Sequence, residues 1–132
     1  MERYDPDQAV VSEEWMELDE DERHYFVQQY HRKKRLKMPN LRMHVAIHVV
    51  VENQVALGGK IPVEKTLTRL MREGLSRHDA VHAIGSVLSG RIFDLVKHGP
   101  RELDVNADYY GQLEKLTAQG WLNRFNEETG EE

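Results

Sequence analysis

The chain has 132 residues, with 39% apolar side chains, a formal net charge of −5 and no cysteine. This length and apolar content suit one domain with a single modest hydrophobic core. The lack of cysteine excludes disulfides and thiolate ligands, which leaves histidine and carboxylate side chains as the strong ligands for a transition metal. The negative net charge argues against a broad surface for nucleic acid, so we expect no nucleic-acid partner.

The start of the chain, MERYDPDQAVVSEEW, carries acidic residues where a signal peptide would carry a basic and then an apolar region. No apolar run approaches the roughly twenty residues needed to cross a bilayer. We therefore expect a cytoplasmic protein without membrane contact. The basic segment His31–Lys37 is explained by its predicted position at a helix C-terminus, where cations interact favourably with the helix dipole.

Helix-ending signals recur along the chain while hairpin turns are scarce. This pattern predicts an all-α fold, a compact helical bundle of about five helices. Ser12 is predicted to cap a short first turn through Leu18. Asp19 and Glu22 then form a capping-box pattern that opens the first long helix, which Pro39 ends.

The second long helix is predicted to begin at an Asn40 cap and to end at the pair Gly58-Gly59. Its segment VAIHVVV, residues 45–51, is rich in β-branched residues and would also suit a buried strand. The length between the two helix signals favours a central buried helix instead. A third helix is predicted from Pro62 through Glu73.

A second capping-box pattern, Ser76 with Asp79, opens a fourth helix that is predicted to end at Gly99-Pro100. A final helix is predicted from about residue 106 to 118, followed by a frayed end that contains Trp121. These elements predict one helical domain over residues 1–132. Its core is expected at about 12–118, and residues 126–132 are expected to form an acidic C-terminal tail.

Two histidine pairs with i,i+4 spacing are the most informative feature of the chain: His44 with His48, and His78 with His82. Residues four apart lie on one face of a helix, about 5–6 Å apart at Cβ, so each pair can hold one metal ion. The second and fourth helices are predicted to run parallel with their starts level, so both pairs can reach one point. Glu52 continues the first pair by one turn and is a candidate ligand or base.

This donor set predicts a divalent transition metal, and zinc, nickel and iron(II) all accept imidazole and carboxylate ligands. Four protein ligands would make a closed structural site, whereas three would leave a position for water or substrate. Known hydrolase motifs are absent, so whether the protein is an enzyme stays open. The remaining histidines, His24, His31 and His98, are predicted to be ordinary surface or packing residues.

The segments NLRMHVAIHVVVENQVALG and TLTRLMREGLSRHDAVHAIGSVL resemble a family of small, uncharacterised bacterial helical proteins, known as a conserved domain of unknown function. The resemblance covers roughly residues 15–97. Its recurring elements correspond in this chain to His44, His48, Glu52, Asn53, Gln54, Arg77, His78, His82 and Gly85. The resemblance implies that these positions act as a unit, and it implies no particular activity.

The leading hypothesis is a small metal-binding helical protein, of which a metal-dependent enzyme is a more specific form. The alternative is a metal-free interaction module, in which the histidines join helices. In that alternative, exposed Trp15, exposed Trp121 and the segment Arg32–Lys37 contact a protein partner or a second copy of the chain. A third hypothesis is a pH sensor, whose histidines titrate at about pH 6 and change the assembly state.

Overall fold

The computed structural model describes residues 1, 3–33, 41–99 and 105–129. Within these residues the chain forms seven α-helices and no β-strand, which confirms the expected all-α fold. The helices are α1 (Ser12–Glu17), α2 (Glu20–Lys33), α3 (Leu41–Ala56), α4 (Val63–Arg72), α5 (Arg77–His98), α6 (Val105–Lys115) and α7 (Ala118–Thr129), with a short 3-10 helix at Gly58–Lys60. None of the helices in the described ranges has both the length and the apolar character that a bilayer crossing requires.

Two of the long helices begin with the side-chain caps that their sequences predict. The Asp19 carboxylate accepts a hydrogen bond from the Glu22 N–H at 2.8 Å, and the Glu22 carboxylate accepts one from the Asp19 N–H at 3.1 Å. The Ser76 hydroxyl accepts a hydrogen bond from the Asp79 N–H at 3.0 Å. The cap predicted for the first turn is wrong, because α1 begins at Ser12 itself and no side chain caps it.

The β-branched segment 45–51 lies inside α3, so the helical interpretation of this segment is confirmed. α3 packs against α1, α2, α4 and α5. Val45, Val49 and Val51 are all buried in these contacts. A helix with neighbours on several sides needs apolar residues around most of its circumference, and this packing outweighs the strand propensity of the segment.

Both tryptophans are buried, so the expectation that they are exposed contact residues is wrong. Trp15 has 0% exposure and Trp121 has 9%. The expected frayed end after residue 118 is also wrong, because α6 ends at Lys115 and a separate helix, α7, begins at Ala118. The Trp121 side chain of α7 packs into the hydrophobic core formed by residues of α4, α5 and α6. Burial of this large aromatic side chain favours an ordered helix.

Several predicted features lie outside the described residues. These are the Pro39 stop, the Asn40 cap, residues 34–37 of the basic segment, Pro100, and the last three residues of the acidic tail. Outside the predicted core of 12–118, Tyr4 is buried as well as Trp121. The packed part of the chain therefore includes residues on both sides of that range.

Gly85 lies where α5 approaches α3. A Cβ atom at this position would be 3.0 Å from the Ile47 Cγ2 atom and 3.9 Å from the Val51 Cγ2 atom. Only a residue without a side chain leaves this approach unobstructed. The contact lies one turn beyond the histidines of α5, so it sets the spacing of α3 and α5, which carry the two predicted histidine pairs.

Candidate metal centre

Four histidines from three helices converge: His31 from α2 and His48 from α3 are buried, and His78 and His82 from α5 are half-buried. One ring nitrogen of each lies within 4.8 Å of the corresponding nitrogen of every other member. His31 is 1% exposed and His48 is 2% exposed. Nitrogens bound to one ion at about 2.0–2.1 Å lie about 3–4 Å from one another. The four rings are therefore close to the spacing that a single ion requires.

His44 lies beside this group, so all four of the predicted histidine ligands come together. Its ring centroid is 4.7 Å from that of His31 and 4.8 Å from that of His82. The rings of His78 and His82, one turn apart on α5, have centroids 4.2 Å apart. We name the five rings together the histidine cluster: His31, His44, His48, His78 and His82.

Every ring of the histidine cluster has one buried nitrogen without a hydrogen-bond partner in the described part of the chain. These atoms are Nε2 of His31, His44, His78 and His82, and Nδ1 of His48. A buried polar atom left unsatisfied costs about 1–3 kcal/mol. Five such atoms would cost an amount similar to the whole stability of a typical domain, about 5–15 kcal/mol. A cation bound by His31, His48, His78 and His82 would give four of these nitrogens a partner.

A hydrogen bond on the outer side of the His31 ring determines which nitrogen faces the cluster with a free lone pair. His31 Nδ1 lies 2.8 Å from the main-chain carbonyl oxygen of Val27. A carbonyl oxygen only accepts, so Nδ1 carries the hydrogen and donates. The inward Nε2 atom of His31 is therefore the unprotonated nitrogen, which is the form that binds metal.

The Tyr4 hydroxyl determines in the same way which nitrogen of His48 carries the hydrogen. The Tyr4 hydroxyl donates to the Glu52 carboxylate, so its oxygen is free to accept a hydrogen bond. His48 Nε2 lies 2.8 Å from that oxygen and donates to it. The remaining ring nitrogen, Nδ1, therefore keeps the free lone pair. It is also the unpartnered atom of this ring.

Glu52, the predicted carboxylate ligand or base, is 1% exposed and lies behind the histidines. Its Oε1 and Oε2 atoms each accept a hydrogen bond from the Arg77 guanidinium at 2.8 Å. Oε2 also accepts from Tyr4. Both carboxylate oxygens therefore already have donors, and Glu52 contacts the histidine cluster through the Tyr4 hydroxyl.

The N-terminal segment before α1 covers the start of α5 beside the histidine cluster. The Pro6 carbonyl oxygen accepts a hydrogen bond from the Arg77 side chain at 2.9 Å, and the Asp7 carboxylate accepts one from the main-chain N–H of His78 at 3.0 Å. Tyr4, in the same segment, is 3% exposed. This short stretch of chain therefore closes one side of the site and supplies the hydroxyl that orients His48.

The environment keeps the rings of the histidine cluster neutral near pH 7. Burial, with a smaller contribution from neighbouring histidines, lowers the pKa of His44 to about 4 and the pKa of His82 to about 3. Burial also lowers the pKa of His31 and His78, and it lowers the pKa of His48 well below its usual value. Neutral imidazole is the form that coordinates metal ions.

Sequence reasoning missed His31 and Tyr4. The sequence predicts His31 to be an ordinary surface or packing residue, whereas the structure places its buried ring among the four candidate ligands. Its spacing of four residues from the buried Val27 was the available signal, since both lie on one face of α2. Tyr4 carries no comparable signal, because it lies outside any periodic element. His98 is exposed, as predicted.

The donor chemistry of the cluster is uniform, because every inward atom is an imidazole nitrogen. Such a set suits zinc, copper, nickel and iron, whereas magnesium and calcium prefer oxygen ligands. Comparisons with protein-family models, with curated proteins and with solved structures find no match to this chain. The function of the site is therefore inferred from its own residues and their geometry.

Proposed function

We propose that this protein binds one divalent transition-metal ion between α2, α3 and α5, through His31, His48, His78 and His82. The observation that carries the proposal is the convergence of buried ring nitrogens that have no hydrogen-bond partner. Two further features support it: outer hydrogen bonds leave free lone pairs on His31 Nε2 and His48 Nδ1. Metal-binding imidazoles are commonly oriented in this way by groups behind them.

An ion bound by these residues would join three helices that are separate in sequence. Four protein ligands are typical of closed structural sites, whereas catalytic sites keep a position for water or substrate. We therefore infer that the ion is retained and stabilises the fold, and we assign no reaction to the site. Glu52 takes a positioning role in this proposal, since Arg77 and Tyr4 already occupy its oxygens.

The metal-free interaction module is less well supported. In that alternative the histidines would bond to one another or to other side chains, yet each ring keeps a buried nitrogen without a partner in the described ranges. Its proposed contact residues Trp15 and Trp121 are both buried. A protein partner or a second copy would have to bind elsewhere on the surface.

Metal analysis of untagged protein tests the proposal. Elemental mass spectrometry, before and after a chelator, is combined with thermal unfolding of the same samples. We expect about one ion per chain, and we expect its removal to lower the melting temperature, because a ligand that binds only the folded state stabilises it by mass action. A metal-free protein whose unfolding does not respond to added zinc, nickel or iron would overturn the proposal.

Variants connect the bound ion to the histidine cluster. His48→Ala and His82→Ala should each lose the ion. His98→Ala is the matched control, because His98 is exposed and lies on the same helix as His82. Retention of a full complement of metal by His48→Ala and His82→Ala would place the ion elsewhere and contradict the assignment.

A further inference from the structure

A short non-helical stretch of chain, residues 4–7, lies against the candidate metal site, and we name it the strap. Tyr4 is 3% exposed, and its hydroxyl lies 2.8 Å from Nε2 of His48 on α3. The Asp7 carboxylate accepts a hydrogen bond from the main-chain N–H of His78 on α5 at 3.0 Å. The strap is therefore bonded directly to two of the four proposed ligand residues.

The strap also reaches α2, the third helix of the site, through a tyrosine ring. The rings of Tyr4 and Tyr30 have centroids 6.2 Å apart and meet edge to face. Tyr30 in turn contacts His31 and His78, at centroid distances of 5.4 Å and 5.5 Å. Two adjacent tyrosine rings, one of them in the strap, thus contact three of the four proposed ligands.

The strap is easier to displace than the helices that carry the ligands. Moving α3 away from α2 or α5 would expose core residues such as Val49 and Val51, which are fully buried. Displacing the strap breaks the hydrogen bonds of Tyr4, Pro6 and Asp7 and exposes two buried side chains. Segments with few core contacts open locally at a lower free energy than the whole molecule unfolds. The strap is therefore the part of the site that opens most readily.

We propose that the ion enters and leaves the site while the strap is displaced, so that the strap controls the rate of metal exchange. This inference rests on the proposed metal site and adds the regulation of that site. When an ion exchanges only through a minor open state, its association and dissociation rates are both proportional to the population of that state. A weaker strap therefore accelerates both steps by the same factor and leaves the dissociation constant unchanged.

Two substitutions at Asp7 test the strap without changing a ligand. Asp7 is exposed, so neither substitution disturbs the core. Asp7→Ala removes the acceptor of the His78 N–H, whereas Asp7→Asn keeps an amide oxygen that can accept in its place. Both variants lose the same charge, so the difference between them isolates the hydrogen bond. We expect zinc to dissociate from Asp7→Ala about fivefold faster than from Asp7→Asn, the usual size of effect for a side chain that caps a helix start.

Transfer of zinc to an excess of a chromophoric chelator measures the dissociation rate. This rate should not depend on chelator concentration, since the chelator reaches the ion only after the strap has opened. A competition titration against the same chelator measures the dissociation constant, which should be equal in Asp7→Ala and Asp7→Asn. The association rate, which is the ratio of the two quantities, should then also be about fivefold higher in Asp7→Ala.

Equal dissociation rates in the two variants would overturn the strap as the control of access. A faster release in Asp7→Ala with an equally weaker dissociation constant would overturn it too, because Asp7 would then act by positioning His78. So would a dissociation rate that rises with chelator concentration. Failure of the metal site itself has a different signature, since wild-type protein would then bind no stoichiometric zinc.

Discussion

His48 links the histidine cluster to a buried polar group behind it. Its inward Nδ1 faces the other rings, while its Nε2 donates to Tyr4, whose hydroxyl donates to Glu52. The Glu52 carboxylate is in turn held by Arg77, and these two side chains are 1% and 5% exposed. Losing one member of such a buried ion pair typically costs about 3–5 kcal/mol. The Glu52–Arg77 ion pair therefore holds the Tyr4 hydroxyl, and with it the His48 ring, in one position.

Replacing Tyr4 with phenylalanine keeps the buried ring but removes the hydroxyl that accepts from His48. We expect Tyr4→Phe to lower metal affinity by about 10- to 100-fold, the usual effect of losing a hydrogen bond that orients a ligand. A competition titration against a chromophoric chelator measures the affinity. Tyr109→Phe is the matched control, because Tyr109 is 4% exposed and donates to Gln54 at 2.7 Å without touching a histidine of the cluster.

Equal metal affinity of Tyr4→Phe and wild type would show that Tyr4 does not position His48. Burial, and then the nearby Glu52 carboxylate, raise the pKa of Tyr4 well above its usual value, so this hydroxyl stays protonated at working pH. The comparison with phenylalanine therefore removes a hydrogen bond and leaves the charge of residue 4 unchanged. An effect confined to Tyr4→Phe would identify this hydrogen bond as the cause.

At the scale of elements, the approach of α5 to α3 determines whether the histidine pairs meet. Gly85 allows this approach, since a Cβ atom there would lie 3.0 Å from the Ile47 Cγ2 atom. Gly90, five residues further along the same helix, has no atom within 4 Å of the corresponding position. The same substitution at both positions therefore distinguishes an effect on helix packing, expected only at Gly85, from an effect on helix propensity, expected at both.

We expect Gly85→Val to destabilise the protein by about 1–3 kcal/mol more than Gly90→Val, because it overpacks the α3–α5 contact. It should also weaken metal binding, since the helices that carry His48 and His82 would move apart. Urea unfolding measures the stability, and metal titration measures the affinity. Equal effects of the two substitutions on both quantities would show that the contact at Gly85 is not needed.

The element boundaries show which sequence signals are reliable. The reciprocal hydrogen bonds of Asp19 and Glu22 are local, so a four-residue pattern predicts them. α7 begins with a single cap rather than a reciprocal pair, since the Thr117 hydroxyl accepts a hydrogen bond from the Gly120 main-chain N–H at 3.0 Å. It is also ordered against the core through Trp121, which depends on distant residues. Local chemistry therefore predicts where several helices begin, while packing determines whether a weak terminal helix is retained.

At the scale of the whole molecule, the buried histidines make the stability of the metal-free protein depend on pH. In the unfolded chain a histidine has a pKa of about 6.5. Burial lowers the pKa of His82 to about 3 in the folded protein, so between these two values the unfolded state binds the proton and the folded state does not. Stability is therefore fully present above about pH 6.5 and is lost progressively as the pH falls.

Such a histidine becomes protonated in the unfolded chain and stays neutral in the folded protein as the pH falls from 7.5 to 5. The free energy of unfolding then decreases by about 2 kcal/mol. Urea unfolding of the metal-free protein at the two pH values measures the loss. His82→Ala should reduce the pH dependence by about that amount. His98→Ala should leave it unchanged, and a stability that did not fall toward pH 5 would contradict the burial of neutral histidines.

The all-α fold, most of the helix boundaries and the two histidine pairs follow from the sequence alone, because caps, apolar periodicity and i,i+4 spacing are local properties of the chain. Only the tertiary structure brought His31 and Tyr4 to the site and paired Glu52 with Arg77. It also buried both tryptophans. Each of these features depends on contacts between residues far apart in sequence. Helix packing brings such residues together, and local sequence patterns do not specify that packing.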